Sequence, residues 1–137
     1  MNIKSALIQS TNSWLEPLYR KMYSHHLEQS EDGFEVHAQQ TPSTLTRTLV
    51  LNVLVSEEFK QVHIPNIFIP QSYRNQGIGF GLINEILKIT ESYGYELYIV
   101  DMTTSFYMRL LDKGAVFAGD DAVKIDKSTK LLVHSSK

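Results

Sequence analysis

Asn66-Ile67-Phe68-Ile69-Pro70-Gln71-Ser72-Tyr73-Arg74-Asn75-Gln76-Gly77-Ile78-Gly79-Phe80-Gly81 is the stretch on which the fold turns. An apolar run that suits a strand stops at Pro70, and a basic, glycine-bearing turn follows. Beyond it Leu82, Ile83, Ile86, Leu87, Ile89 and Tyr93 recur at helical spacing up to Gly94. The stretch therefore reads as strand, tight loop, and a helix whose first turn carries almost no side chains. Unpaired amide N–H groups at a helix N-terminus form a site for an anion. Gly77 and Gly79 let the backbone approach such a ligand, and Arg74 adds a fixed positive charge.

On the C-terminal side, Glu96 to Val100 reads as a strand. Strand, helix and strand in succession imply a right-handed parallel crossover. Ser105 to Lys113 reads as a second helix closed by Gly114. Val116–Phe117, Ala122 to Ile125 and Leu131 to His134 read as closing strands, with Asp126 to Thr129 as a turn. On the N-terminal side, Val62 to Ile69 follows two other strands, Phe34 to Ala38 and Leu45 to Val55. Thr41-Pro42-Ser43 and Ser56-Glu57-Glu58 are the turns, and the short connections imply an antiparallel meander. Pro65 lacks the N–H that a ladder needs, so its strand is expected to bulge or lose pairing there. Before the meander, Trp14 to Leu27 has helical spacing, with Glu31-Asp32-Gly33 as its stop. Ser13 and Glu16 have capping-box spacing, though Pro17 would suit a first helical position better. Residues 1–12 give only a weak signal, a short strand or a helical turn.

Arg74-x-x-Gly77-x-Gly79, the preceding Ile67-Phe68-Ile69-Pro70 and the later Phe106-Tyr107 to Gly114-Ala115 together resemble the GNAT superfamily of acyl-CoA-dependent N-acetyltransferases. The resemblance runs from about Val62 to about Ala115, with a continuation to His134. It implies a single domain over residues 1–137 of α/β (α+β) class: a mixed, twisted, mostly antiparallel sheet with flanking helices. It also implies acetyl-CoA as co-substrate and a primary amine, on a small molecule or a protein, as acceptor. The diphosphate would rest on Arg74, Asn75, Gln76, Gly77, Ile78, Gly79 and Phe80. The pantetheine arm would pair with the strand edge Ile67, Phe68 and Ile69, and an N–H near Ile69 would face the oxyanion.

For the leaving thiolate, family members often use a tyrosine near the start of the last helix. Counting back from Gly114 by the family spacing lands on Leu110, and Tyr107 lies one turn earlier on the same face, so Tyr107 is the expected acid. The alternative for Tyr107 is a core tyrosine with its hydroxyl at the rim. The family's glutamate on the strand before the loop corresponds here to Pro65 and Asn66. Asn66 would position a water, with Asp101 the nearest acidic group and His63 its alternative. Asp101 equally suits a cap for the next helix or plain exposure, and an acceptor that arrives neutral needs no base. The missing carboxylate and displaced tyrosine also admit a non-catalytic acyl-CoA-binding or interaction module on the same fold. Only one clear helix precedes the meander, where many members have two. An open acceptor pocket, or one completed by a second subunit in a homodimer, would follow.

The remaining composition narrows the classes. A net charge of −2 with mixed signs gives no basic face for nucleic acid. The absence of cysteine excludes disulfides and thiolate chemistry, and it suits a reducing cytoplasm. No apolar run reaches membrane-spanning length, and Met1-Asn2-Ile3-Lys4 does not open a signal peptide, so a cytoplasmic protein is expected. The histidines His25-His26, His37, His63 and His134 lack metal-ligand spacing, so no metal is expected. A dinucleotide fingerprint would need its third glycine at position 82, which is Leu82; Gly81 comes one residue early.

Overall fold

The computed structural model describes residues 2–43, 48–67, 78–119 and 121–131, and of Asn66 the backbone alone. The elements are α1 (Ile3–Tyr19), β1 (Ser24–Gln29), β2 (Gly33–Gln39), β3 (Thr48–Ser56), β4 (Gln61–Ile67), α2 (Ile78–Ser92), β5 (Glu96–Ile99), α3 (Thr104–Asp112), β6 (Val116–Gly119) and β7 (Ala122–Ile125). The strands form one seven-stranded sheet in the order β1-β2-β3-β4-β5-β7-β6. Neighbouring strands pair antiparallel except β4 and β5, which are parallel. This is the expected α+β class with a mixed, mostly antiparallel sheet. Among the described residues, no helix is long and apolar enough to cross a membrane.

Alternation along the strands sends one set of side chains to a single face. Phe34, Val36, Leu51, Val53, Val62, Ile64, Leu97, Ile99, Val123 and Ile125 are all buried there. Ile3, Leu7, Leu15 and Leu18 of α1 and Leu82, Ile83, Ile86 and Leu87 of α2 complete this core. Each fully buried aliphatic side chain contributes about 1.5–3 kcal/mol relative to exposure. The opposite face carries His63, Tyr98 and Leu54, with Glu96 and Lys124 joined at 2.6 Å. The Lys124 hydrogen bond, then its charge, holds the Glu96 carboxyl below the usual glutamate range; the same bond pushes Lys124 up.

The N-terminal expectation is corrected. The helix runs from Ile3 to Tyr19, earlier than Trp14–Leu27, with Asn2 as its cap: Asn2 Oδ1 accepts from Ser5 N at 2.8 Å. Ser13 and Glu16 therefore lie inside the helix rather than at its start. Its buried stripe is Ile3, Leu7, Thr11, Leu15 and Leu18, and Thr11 occupies a core position as a polar residue, which obscured the period. Pro17 lies inside the helix, where it has no N–H to donate to the Ser13 carbonyl, so one rung of the ladder is lost.

Residues 24–29 are a strand rather than a helix end, so four strands, not three, precede α2. Glu31-Asp32 is the turn of the β1–β2 hairpin, closed by Ser30 N donating to Gly33 O at 2.9 Å. Gly33 is not a helix stop; a Cβ there would run into Val53 O of β3. At the other end, Leu131 is buried outside any strand, and residues 132–134 lie outside those described.

The bulge expected at Pro65 is present. Asn52 pairs with Asn66 and Leu54 with His63, so Ile64 and Pro65 together oppose Val53.

Candidate functional site

β4 and β5 set the geometry. Their parallel register runs from Gln61↔Glu96 to Ile64↔Ile99, and its last hydrogen bond is Val100 N to Ile64 O at 3.1 Å. Pro65 has no N–H to continue it. β4 goes on through the bulge to Ile67, still paired with Leu51 of β3. The chain after β5 turns away at Asp101, which takes a left-handed φ of 56°. Among the described residues the parallel ladder thus ends at Ile64 and Val100, and main-chain groups of β4 beyond it face no β5 partner. In open α/β sheets, ligands bind beyond the carboxyl ends of such strands.

α2 begins at Ile78, as the spacing predicts. Its first turn is anchored from outside: Trp14 Nε1 donates to Ile78 O at 3.1 Å. Gly81, the residue one short of a dinucleotide fingerprint, is a packing glycine instead, because a Cβ there would meet the Trp14 ring. Trp14→Phe would remove the indole donor while keeping an aromatic ring on Gly81. We expect a loss of about 1 kcal/mol in urea unfolding, with faster hydrogen exchange in the first turn of α2.

α3 lies beside that first turn. The Phe80 and Phe106 rings stack with centroids 5.6 Å apart. The Arg109 guanidinium sits 4.9 Å and the Lys113 ammonium 4.6 Å from the Phe80 ring centroid. Two cations are thereby held close to an N-terminus that already favours negative charge. The sequence reading did not pick out Arg109 and Lys113; their signal is the 106, 109, 113 spacing on one helical face.

Thr103 caps α3, its Oγ1 accepting from Phe106 N at 3.2 Å, so the cap is not Asp101. Asp101 is exposed. Leu110 is fully buried, whereas Tyr107 is half-buried and donates its hydroxyl to Gly119 O at 3.1 Å, tying α3 to the β6–β7 hairpin. Asp101 lies in the short connection from β5 into α3, next to the end of the ladder, and Tyr107 follows in the first turns of α3 itself. His63 lies elsewhere, on the helix-free face, its Nε2 3.0 Å from Gln61 Oε1 and its ring 5.4 Å from the Tyr98 ring. Of the expected cofactor contacts, Ile67, Ile78, Gly79 and Phe80 are described. Phe68, Ile69, Arg74, Asn75, Gln76 and Gly77, with the Asn66 side chain, lie outside the described residues. Phe80 turns its ring to α3, so it can offer a ligand its main chain only.

A separate groove of about 550 Å³ runs between α1 and α2, lined by Gln9, Ser13, Trp14, Glu85, Ile89 and Tyr93 among others. Neither Tyr107 nor Asp101 contributes to it. Among the described residues no group of acidic and histidine side chains is disposed to hold a metal ion. No protein-family model and no curated protein matches the chain.

Proposed function

We propose that this chain is a cytoplasmic N-acetyltransferase of GNAT-like fold that passes an acetyl group from acetyl-CoA to a primary amine. The observation that carries the reading is the end of the β4–β5 ladder at Ile64 and Val100, on the strand that precedes α2 in the chain. Main-chain groups of β4 that have no β5 partner among the described residues suit the amides of a pantetheine arm laid down as an extra strand. The N-terminus of α2, with Arg109 and Lys113 close by, suits the diphosphate. The amine nitrogen, deprotonated, attacks the thioester carbonyl carbon; the C–S bond breaks as the tetrahedral intermediate collapses. The thiolate then takes a proton, and the new amide nitrogen gives one up to water or to a base. Tyr107 is the candidate donor to the thiolate, with Asp101 and Asn66 as candidates for handling the amine's proton through water.

A second reading is favoured by one contact. The Tyr107 hydroxyl is already donated to Gly119 O, so it must turn away before it can serve a thiolate. A module that binds acyl-CoA without turnover needs no such motion. Titration calorimetry with acetyl-CoA decides the shared premise: binding in the micromolar range is expected, and none at about 1 mM would end both readings. Thiol release against a panel of small amines and peptides then separates them. Release that depends on an acceptor supports the transferase, and binding without release supports the module.

A further inference from the structure

We propose that the free edge of β1 is the self-association surface of this protein, pairing antiparallel with β1 of a second copy about a two-fold axis at Leu27. This rests on the edge strand alone and is independent of the reading above. β1 is the outer strand of the sheet order, with no strand beyond it among the described residues.

Which main-chain groups it offers can be worked out. Ser30 N donates to Gly33 O at 2.9 Å, and Val55 N donates to Asp32 O at 2.7 Å. The first makes Ser30 and Gly33 a hydrogen-bonded pair. The second turns Asp32 and Phe34 towards β3, leaving Gly33, Glu35 and His37 turned towards β1. By alternation, Ser24, His26 and Glu28 spend their N–H and C=O groups on β2, while His25, Leu27 and Gln29 point theirs outward. The alternation slips only before Ser24, where Tyr23 N donates to Gln40 O at 3.3 Å.

The side chains supply charge complementarity when the histidines are protonated. On the helix-free face, His26 lies directly opposite His37, and Glu28 directly opposite Glu35. The hairpin therefore carries two histidines at one end and two carboxylates at the other. The opposed carboxylates, and the opposed histidines once protonated, are unfavourable, and the contacts that relieve them among the described residues run along each strand, two residues apart. These are His26 to Glu28 at 3.7 Å and His37 to Glu35 at 2.9 Å.

A second copy paired about Leu27 places its Glu28 opposite His26 and its His26 opposite Glu28, in the close, non-hydrogen-bonded positions. The outward groups of His25 meet those of Gln29 in the other copy, and Leu27 meets Leu27. The two neighbouring registers that keep these groups aligned set His26 on His26 or Glu28 on Glu28. Only the Leu27-centred register is complementary throughout. A single short strand buries less than the roughly 1,200 Å² of a standard interface, so the dimer is weak.

Sedimentation velocity from about 10 μM to about 1 mM tests this, with dimer expected at the upper end. On the wild-type protein, hydrogen exchange should slow at His25, Leu27 and Gln29 as concentration rises, while Ser24, His26 and Glu28 stay protected throughout. His26→Glu should weaken dimerisation at least about tenfold, and adding Glu28→Lys in the same chain should restore it. A protein that stays monomeric at 1 mM, a dimer indifferent to His26→Glu, or concentration-dependent protection elsewhere would each overturn the assignment.

Discussion

Gly33→Ala is expected to cost about 3 kcal/mol of folding stability, the upper range for forcing atoms into packed space. The added Cβ would collide with Val53 O. A carbonyl in the middle of a sheet cannot swing aside as a side-chain tip can. β2 must move away from β3, and the Phe34↔Val53 and Val36↔Leu51 pairs at the centre of the core move with it. Urea unfolding should show a midpoint shift at unchanged slope, and Tm should fall by about 10 °C. Gly94→Ala is the control: φ is +77° there, but the space around it is open, so only backbone strain of about 1 kcal/mol is at stake. A Gly33→Ala protein within about 0.5 kcal/mol of wild type would refute this close approach of β2 and β3.

Tyr107→Phe is expected to lower kcat for acetyl transfer by about 10²–10⁴-fold, the usual worth of a positioned general acid. KM for acetyl-CoA should hardly change, because in the proposed role the hydroxyl would act on the departing thiolate and not on the bound cofactor. The same substitution removes the bond to Gly119 O, at about 1 kcal/mol of stability. The two losses separate cleanly: an unfolding midpoint reports the tie to the β6–β7 hairpin, and steady-state rates report the proton. Unchanged turnover with a lowered midpoint would leave Tyr107 a purely structural residue.

The parts of this fold that sequence revealed are those in which one local pattern dictates one local structure. α2 shows its period in Leu82, Ile83, Ile86 and Leu87, all on the buried face, and Gly94 marks its end. Pro65 announced its bulge because a missing N–H has the same consequence wherever it falls. The N-terminal third was less legible. Ser24–Gln29 has one apolar residue, Leu27, because an edge strand with a solvent face needs little more, and no alternation survives to be read. Gly33 looked like helix punctuation because its true constraint, the Val53 carbonyl, lies twenty residues away in sequence.

The candidate site divides the same way. Sequence indicated where α2 begins. It could not foretell that Phe80 would be sandwiched by Phe106, Arg109 and Lys113, nor that Tyr107 would be engaged by Gly119. Those are contacts between elements, which periodicity does not encode.

The short parallel seam between β4 and β5 has a consequence for how the molecule breathes. On one side of it stand α1 and the β1–β4 meander, joined by near-neighbour hairpins; on the other, β5, α3 and the β6–β7 hairpin form a second locally connected unit. Within the sheet, among the described residues, the rungs from Lys60 to Ile64 stitch the two together, so hydrogen exchange that opens along that line, with the C-terminal unit parting as one foldon, is the expected signature. A molecule wedged in the seam would grip both halves at once and lock their separate fluctuations into a single cooperative transition.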